Sequence, residues 1–158
     1  MPEGTKNFRI ESIGEGSIAI LLRHREAMWR EIGDYTEEQI NKSQTNYERW
    51  LLKRLISGEV VAFAAVDGTG NILGSGSLWF QDSRPTPHNP EGTIAYIMSM
   101  YVEPQNRRNG VASALLGEAI EFTRKSGCRR MVLHASRFGR GLYERAGFIE
   151  TNEMKLDI

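Results

Sequence analysis

The stretch from residue 102 to residue 113 has the composition of an anion-binding loop. Two arginines, Arg107 and Arg108, come shortly before Gly110, and a run with helical periodicity begins directly after this glycine. The N-terminus of a helix presents unpaired backbone N–H groups and a partial positive charge, and the bare backbone of a glycine lets a phosphate approach closely. The stretch therefore favours a phosphate or pyrophosphate site, although an ordinary strand-to-helix turn with solvated arginines explains the same residues equally well. The residues that would form the site are Arg107, Arg108, Asn109, Gly110, Val111, Ala112 and Ser113.

The elements around this loop follow from the spacing of apolar residues and from capping signals, with Ser17 and the pair Thr36 and Gln39 as expected helix caps. Helices are expected at residues 17–32, 36–57, 111–126 and 139–146. Strands are expected at residues 8–10, 60–66, 72–80, 93–102, 130–134, 148–149 and 154–156. This order predicts a mixed α+β fold around one sheet. We expect residues 1–158 to form a single domain, because no linker or repeat interrupts the order.

The composition limits the classes of function. Twenty basic and twenty acidic residues cancel, whereas a nucleic-acid-binding protein usually carries a basic excess, so we expect no nucleic-acid partner. Cys128 is the only cysteine, which leaves no intrachain disulfide and no thiolate metal site, and we expect no metal. The first residues lack a signal-peptide pattern, and no apolar stretch reaches membrane-spanning length. We therefore expect a cytoplasmic protein with no membrane partner.

A run of glycines raises the alternative of a dinucleotide site. Gly68, Gly70, Gly74 and Gly76 lie between and within two predicted hairpin strands. A dinucleotide-binding glycine motif has to follow a strand and open a helix. Because these glycines open no helix, we reject that interpretation.

Two motifs in the second half of the chain resemble those of the GNAT superfamily of acetyltransferases. Arg107-x-x-Gly110-x-Ala112 is similar to the Arg/Gln-x-x-Gly-x-Gly/Ala motif with which that family holds the pyrophosphate of acetyl-CoA. Further along the chain, the segment from Leu142 and Tyr143 to Phe148 resembles the Leu-Tyr-x-x-x-Gly-Phe signature near the end of the same fold. Two motifs in this order are far more specific than either alone. The resemblance is strong over residues 94–149 and weaker before them.

The resemblance implies a fold, a co-substrate and a set of site residues. The fold is a mostly antiparallel, twisted sheet flanked by helices, with central strands that splay apart. Acetyl-CoA is the implied co-substrate, and the backbone amides of Met100, Tyr101 and Val102 would meet its acetyl carbonyl and pantetheine arm. Tyr143 matches the tyrosine that protonates the departing thiolate as a general acid. Ser136 stands where many members carry asparagine, and its hydroxyl can bond cofactor or backbone.

The general base stays open. An amine is mostly protonated at neutral pH, so a side chain or water must remove a proton before attack. Family members often use a glutamate on the central strand, but that strand contains no acid here. His134, Glu26 and Glu31 are candidates, each with a purely structural alternative. His24 and His88 have no feature that distinguishes them from structural histidines.

The implied reaction is N-acetyl transfer to a primary amine of a small molecule or peptide by direct attack in a ternary complex. The first two helices and the proline-containing loop at residues 81–92 are expected to bound the acceptor. Arg23, Arg25 and Arg30 favour an acidic acceptor, although a solvated helix face explains them equally well. The alternative is a non-catalytic acyl-CoA-binding or partner-binding domain, which the presence of Tyr143 disfavours. The sequence leaves open whether the protein is a monomer or a homodimer.

Overall fold

The structure is a computed structural model and describes residues 7–158. Five strands form one sheet in which they lie side by side in chain order. The strands are β1 (Phe8–Ile13), β2 (Val60–Asp67), β3 (Ile72–Asp82), β4 (Thr93–Val102) and β5 (Met131–Val132). Neighbouring strands are antiparallel except for β4 and β5, which are parallel.

Four helices flank this sheet, which confirms the predicted α+β class. The helices are α1 (Ile18–Ile32), α2 (Glu37–Ser57), α3 (Val111–Lys125) and α4 (Arg140–Arg145). Short 3-10 turns at Glu15–Ser17 and Pro104–Asn106 lead into α1 and into the loop before α3.

The helices cover opposite faces of the sheet. Leu51 of α2 packs with Met98 of β4, whereas Leu115 of α3 packs with the neighbouring residue Ile97. Successive side chains of a strand point to opposite faces, so Ile97 and Met98 belong to two separate apolar layers. Burial of these two layers is the main force that holds the helices on the sheet.

Most predicted helix ends are correct. Thr36 and Gln39 form the expected capping box, with hydrogen bonds of 3.1 and 2.9 Å between side chain and backbone. Gly58 ends α2 in the left-handed conformation, with φ +81°. The prediction for Ser17 is wrong in one respect, because this N-cap makes no side-chain capping bond. Its backbone N–H instead closes the preceding 3-10 turn on the Gly14 carbonyl.

The predictions for the last strands are wrong. The strand expected at residues 130–134 is reduced to Met131–Val132, and residues 148–149 and 154–156 form no strand. Ile149 is 86% exposed and Met154 is 93% exposed. A strand is stable only where a neighbouring strand satisfies its backbone groups, and β5 is too short to provide that edge.

The loop between β3 and β4 is closed at its base. β3 continues to Asp82, and the Ser83 N–H donates to the Gly92 carbonyl over 2.6 Å. Within the loop, Thr86 and Asn89 form an isolated antiparallel bridge, and the Asn89 side chain donates to the Thr93 carbonyl. The loop is therefore an ordered extension of the β3–β4 hairpin.

Candidate active site

The loop between β4 and α3 presents bare backbone at the start of a helix. Gly110 is the N-cap of α3 in the left-handed conformation, with φ +78°, and no side chain caps this helix end. Arg108 also has a positive φ, of 64°. A Cβ atom added to Gly110 would meet no atom within 4 Å, so the space beside it is open. Uncapped N–H groups, open space and a nearby arginine fit the pyrophosphate of acetyl-CoA.

The two arginines of this loop differ in their surroundings. Arg107 donates from Nε to the Val102 carbonyl over 2.9 Å and from Nη2 to both carboxylate oxygens of Glu31, over 2.8 and 3.0 Å. The Glu31 hydrogen bond raises the pKa of Arg107. Arg107 therefore ties the loop to α1, whereas Arg108 makes no ion pair within residues 7–158 and is exposed.

β4 separates from β5 close to this loop. The two strands pair only at Ala95 with Met131 and at Tyr96 with Val132. Beyond Tyr96, the edge of β4 that faces β5 has no strand partner among the described residues. The Glu103 N–H donates to the Leu73 carbonyl on the β3 side, and successive amides of a strand point to opposite edges. The amides of Met100 and Val102 therefore face the open edge and are available to a ligand, whereas the amide of Tyr101, which was also expected there, faces β3. The predicted splaying of the central strands is therefore present.

A bulge in β4 lies on the same stretch. Ser77 pairs with Met98 and Ser75 pairs with Tyr101, so two residues of β4 oppose the single residue Gly76. Ser99, one of these two residues, has a φ of +55°. Such bulges re-aim side chains and are common beside active sites.

The glycines of β3 explain how β4 can approach so closely. A Cβ atom on Gly74 would lie 2.7 Å from the Tyr101 carbonyl oxygen, and one on Gly76 would lie 3.1 Å from the Met100 sulfur. These glycines therefore shape the strand that bears the site, and they belong to no dinucleotide motif.

Tyr143 lies on α4 with its ring packed in the core. The residue is 8% exposed, and its ring meets that of Phe148 edge to face at 5.8 Å. Burial raises the pKa of the Tyr143 phenol, so the phenol holds its proton at neutral pH. Its hydroxyl makes no hydrogen bond within the described part of the chain, and it is therefore available to a ligand.

Ser136 and Gly139 position this tyrosine. The Ser136 hydroxyl accepts from the Gly139 N–H over 3.2 Å, and the Ser136 carbonyl accepts from Arg140 over 3.0 Å at the start of α4. A Cβ atom on Gly139 would lie 3.1 Å from the Tyr143 ring. The Ser136 hydroxyl thus bonds backbone in this structure, and Gly139 leaves room for the tyrosine.

His24 is fully buried and joins α1 to β3 and to the loop. Its Nδ1 lies 2.6 Å from the Ser75 hydroxyl, and its Nε2 lies 3.1 Å from a carboxylate oxygen of Glu103. Burial lowers the pKa of His24, and this effect is larger than the rise caused by the hydrogen bond that His24 donates to Glu103. A carboxylate only accepts, so Nε2 carries the proton of the neutral ring and Nδ1 accepts from Ser75.

The candidate bases have different surroundings. Nδ1 of His134 lies 2.8 Å from the Tyr96 hydroxyl, beyond the end of β5. Glu26 pairs with Arg30 over 2.9 Å, and Glu31 is paired with Arg107 as described above. Both glutamates are thus ion-paired, and His134 is the candidate that contacts β4.

Aromatic side chains form a continuous series on the α1 and α2 face of the sheet. Tyr47 stacks on Trp50 at 5.6 Å between ring centres, and Trp50 meets Trp79 edge to face at 4.9 Å. Trp79 in turn meets Tyr96 at 6.4 Å, and Tyr96 meets His134 at 5.5 Å. The series connects α2 with the segment after β5.

Sequence reasoning missed several of these residues. His24 carried a usable signal, because Leu21, His24 and Met28 share the apolar spacing of α1. The two glycines inside β3 also indicated close backbone contact. Ser75 and Ser99 carried no local signal, because their roles depend on which residues oppose them across the sheet.

Residues 7–158 contain neither a candidate metal centre nor a membrane-spanning helix. In that range no three or more His, Cys, Asp or Glu side chains gather in a way that could hold a metal ion. The same range contains no helix of the length and apolarity needed to cross a membrane.

Comparisons with known proteins agree with this fold. The model of the acetyltransferase (GNAT) family matches residues 23–148. A GCN5-related N-acetyltransferase from Ralstonia eutropha JMP134 is 31% identical and superposes with a TM-score of 0.90 over 96% of this chain and 98% of its own. A predicted acetyltransferase from Clostridium acetobutylicum, solved with acetyl-CoA, is 26% identical and gives a TM-score of 0.85 over 95% of this chain and 96% of its own.

One relative with a similar sequence is named for its substrate. The glucosamine 6-phosphate N-acetyltransferase of Trypanosoma brucei brucei is 32% identical over 91 residues, which are 57% of this chain. The chain thus spans 60% of that relative's length.

The mixed sheet flanked by helices, in which β4 pairs with β5 only at Ala95 and Tyr96, belongs to a fold that the chain shares with these solved acetyltransferases. The chain belongs to the GNAT family of acetyltransferases. It is therefore an enzyme, and members of its family use acetyl-CoA as the acetyl donor.

Proposed function

We propose that the chain forms a single N-acetyltransferase domain, which moves the acetyl group of acetyl-CoA to a primary amine by direct attack in a ternary complex. The observation that carries the proposal is the open edge of β4 beyond Tyr96, which lies beside the uncapped start of α3. The α3 start and Arg108 would hold the pyrophosphate. The open edge would then receive the pantetheine arm and the acetyl carbonyl.

The backbone amides of Met100 and Val102, which face the open edge, would stabilise the negative charge that develops on the carbonyl oxygen. Preformed N–H donors at such a position are usually the largest single contribution to acyl-transfer catalysis. Tyr143 would donate its proton to the departing thiolate, which its buried and protonated phenol supports. The chain's one cysteine, Cys128, lies outside both motifs, so the proposal includes no acetyl-cysteine step.

In this proposal the amine loses its proton to water, or the fraction of the amine that is already neutral attacks directly. Glu26 and Glu31 each form an ion pair with an arginine. β4 has no carboxylate between Thr93 and Tyr101. His134 stays the alternative, because it contacts β4 through Tyr96.

The test is release of the CoA thiol from acetyl-CoA in the presence of a panel of amines. Glucosamine 6-phosphate is the first acceptor to include, because the Trypanosoma relative bears its name. We expect thiol release that depends on both the amine and the intact Tyr143. Tight binding of acetyl-CoA without acetylation of any amine would instead support the non-catalytic alternative.

A further inference from the structure

Three arginines of α1 have different electrostatic partners. Arg23 donates to Glu103 over 2.5 Å. Arg30 pairs with Glu26 over 2.9 Å and with Glu37 over 2.6 Å. Arg25, by contrast, has no carboxylate partner within residues 7–158. The charge of Arg25 is therefore not neutralised by the described part of the protein.

Neutral groups hold the Arg25 side chain in place. Its guanidinium carbon lies 4.1 Å from the centre of the Tyr47 ring and 5.7 Å from that of Trp29. Nη1 donates to the Gln44 side-chain oxygen, and the Gln44 amide in turn donates to the Leu22 carbonyl over 2.9 Å. These contacts fix the guanidinium but use only one of its N–H groups in a hydrogen bond. The remaining donors are free in the described part of the chain.

The Arg25 side chain is half-buried, so this cation is partly removed from water, and its burial lowers its pKa. A partly desolvated guanidinium with free donors gains most from an oxyanion, because its planar fork matches a carboxylate or phosphate. Arg54, the other arginine on this aromatic face, is different, because Glu59 lies 3.4 Å from it.

Arg25 also lies beside the strand that carries the site. Tyr47, on which it stacks, packs in the same apolar cluster as Met98 of β4. Met98 directly precedes the bulge at Ser99 and Met100. The ring under the guanidinium therefore packs next to the stretch at which the acetyl carbonyl would be held.

We infer that Arg25 binds an anionic group of the acceptor, so that the substrate is a primary amine that also carries a carboxylate or a phosphate. This inference rests on the proposed transfer to an amine. A carboxylate and a phosphate offer the same oxyanion chemistry to a guanidinium, and the experiment distinguishes them. Arg25 acts here as a specificity-determining residue and takes no part in the chemical step.

The experiment measures kcat/KM for two matched pairs of amines, each with and without an anion. The pairs are glucosamine 6-phosphate with glucosamine, and phenylalanine with phenylalaninamide. Each amine is measured with the parent protein, with Arg25→Met and with Arg54→Met. Methionine keeps an apolar stem on Tyr47 but removes the charge. Arg54 is a matched control because its guanidinium also lies over an aromatic ring, that of Trp50, and is already close to Glu59. Each variant is compared with the parent on the same amine, so differences in amine basicity cancel.

We expect the anionic member of at least one pair to depend on Arg25. For that member, Arg25→Met should lower kcat/KM by about 10- to 100-fold, the range for losing a hydrogen-bonded charge. The neutral member should change less than about twofold, and Arg54→Met should leave both unchanged. If Arg25→Met lowers kcat/KM for glucosamine 6-phosphate, the acceptor carries a phosphate. If it lowers kcat/KM for phenylalanine, the acceptor carries a carboxylate.

Two outcomes would overturn the inference without affecting acetyl transfer itself. One is an unchanged kcat/KM for the anionic member of both pairs in Arg25→Met. The other is an equal loss for both members in Arg25→Met. Arg25→Glu gives a second measurement, because it should reject the anionic member even more strongly if the variant folds, as its thermal unfolding will show. If no amine is acetylated by the parent protein, the proposed function itself fails.

Discussion

The imidazole of His24 and the hydroxyl of Ser75 lie 2.6 Å apart, and both residues are almost completely buried. The second ring nitrogen of His24 contacts Glu103, at the start of the loop before α3. One side chain thus joins α1, β3 and the candidate pyrophosphate loop. We expect this contact to determine both the stability of the fold and the position of the loop.

His24→Ala should lower the free energy of unfolding by about 2–4 kcal/mol, because it leaves a cavity and an unpaired Ser75 hydroxyl. Chemical denaturation measures this change. His88→Ala is the matched control, because His88 lies on the exposed part of the β3–β4 loop. Equal stability of the two variants would show that the buried hydrogen bonds contribute nothing.

The stability that His24 contributes should depend on pH. Burial holds its pKa in the folded protein below the ordinary value of 6.5. As the pH falls, the unfolded chain therefore takes up the proton first, and protonation favours unfolding. The contribution is complete above pH 6.5 and is lost as the pH falls through the folded-state pKa. Unfolding midpoints at a series of pH values should show this loss for the parent protein and a smaller one for His24→Asn.

The sequence predicted the parts of the site that depend on local patterns. The glycine at the start of α3, the capping box at Thr36 and the tyrosine of α4 are each recognisable within a few residues. The contacts of Arg107 with Glu31 and of His24 with Ser75 could not be predicted in this way. They join residues 76 and 51 positions apart, and the packing of α1 against the sheet brings them together.

The difference between local patterns and contacts far apart in the sequence also explains the wrong strand predictions at the C-terminal end. The alternating apolar residues after Phe148 have the period of a strand, but their environment has no paired edge. Strand formation depends on a neighbour more than on local propensity. A pattern of period two therefore predicted strands at residues 148–149 and 154–156 that the fold does not form.

Gly110→Glu should reduce CoA affinity by at least about 100-fold, because like charges placed together at a binding site cost several kcal/mol. The new carboxylate would occupy the open space at the helix start and repel the pyrophosphate. Gly127→Glu is the matched control, since it adds the same charge at another exposed glycine with a left-handed φ and open space around it. Calorimetric titration with CoA measures both. Equal affinities would remove this loop from the site.

Arg108→Gly isolates the contribution of one charge. Because Arg108 has a φ of +64°, glycine accepts the same backbone conformation without strain. We expect CoA affinity to fall by about two- to fivefold at low salt, the range for one exposed ion pair. The difference should shrink in high salt because of screening. A salt-independent loss would mean that the loop backbone had changed instead.

Tyr143→Phe should lower kcat by about 100-fold, at the lower end of general-acid effects, with little change in CoA affinity. Phenylalanine keeps the ring packing on Phe148 and removes only the hydroxyl. Tyr35→Phe is the control, because Tyr35 is exposed in the turn between α1 and α2. Undiminished turnover of Tyr143→Phe would mean that this tyrosine only packs, or that water protonates the thiolate.

The source of the lost amine proton can be tested by comparing acceptors of different basicity. With no carboxylate on β4 between Thr93 and Tyr101, and with Glu26 and Glu31 paired to arginines, the rate should follow the supply of neutral amine. The lower limb of the pH profile of kcat/KM should then move with the pKa of the acceptor. A base supplied by the enzyme would instead hold that limb at one pH for every amine.

His134 is the side chain to vary in this experiment, because its Nδ1 lies 2.8 Å from the Tyr96 hydroxyl on β4. His134→Ala should leave the lower limb in place, and Tyr96→Phe should do the same, since both remove only a contact beside the strand. Measurement of kcat/KM from pH 6 to 10 for two amines separates the possibilities. If the limb disappears in His134→Ala and the parent profile stays fixed between amines, His134 is the base. A limb that follows the amine in the parent and in both variants assigns the deprotonation to solvent.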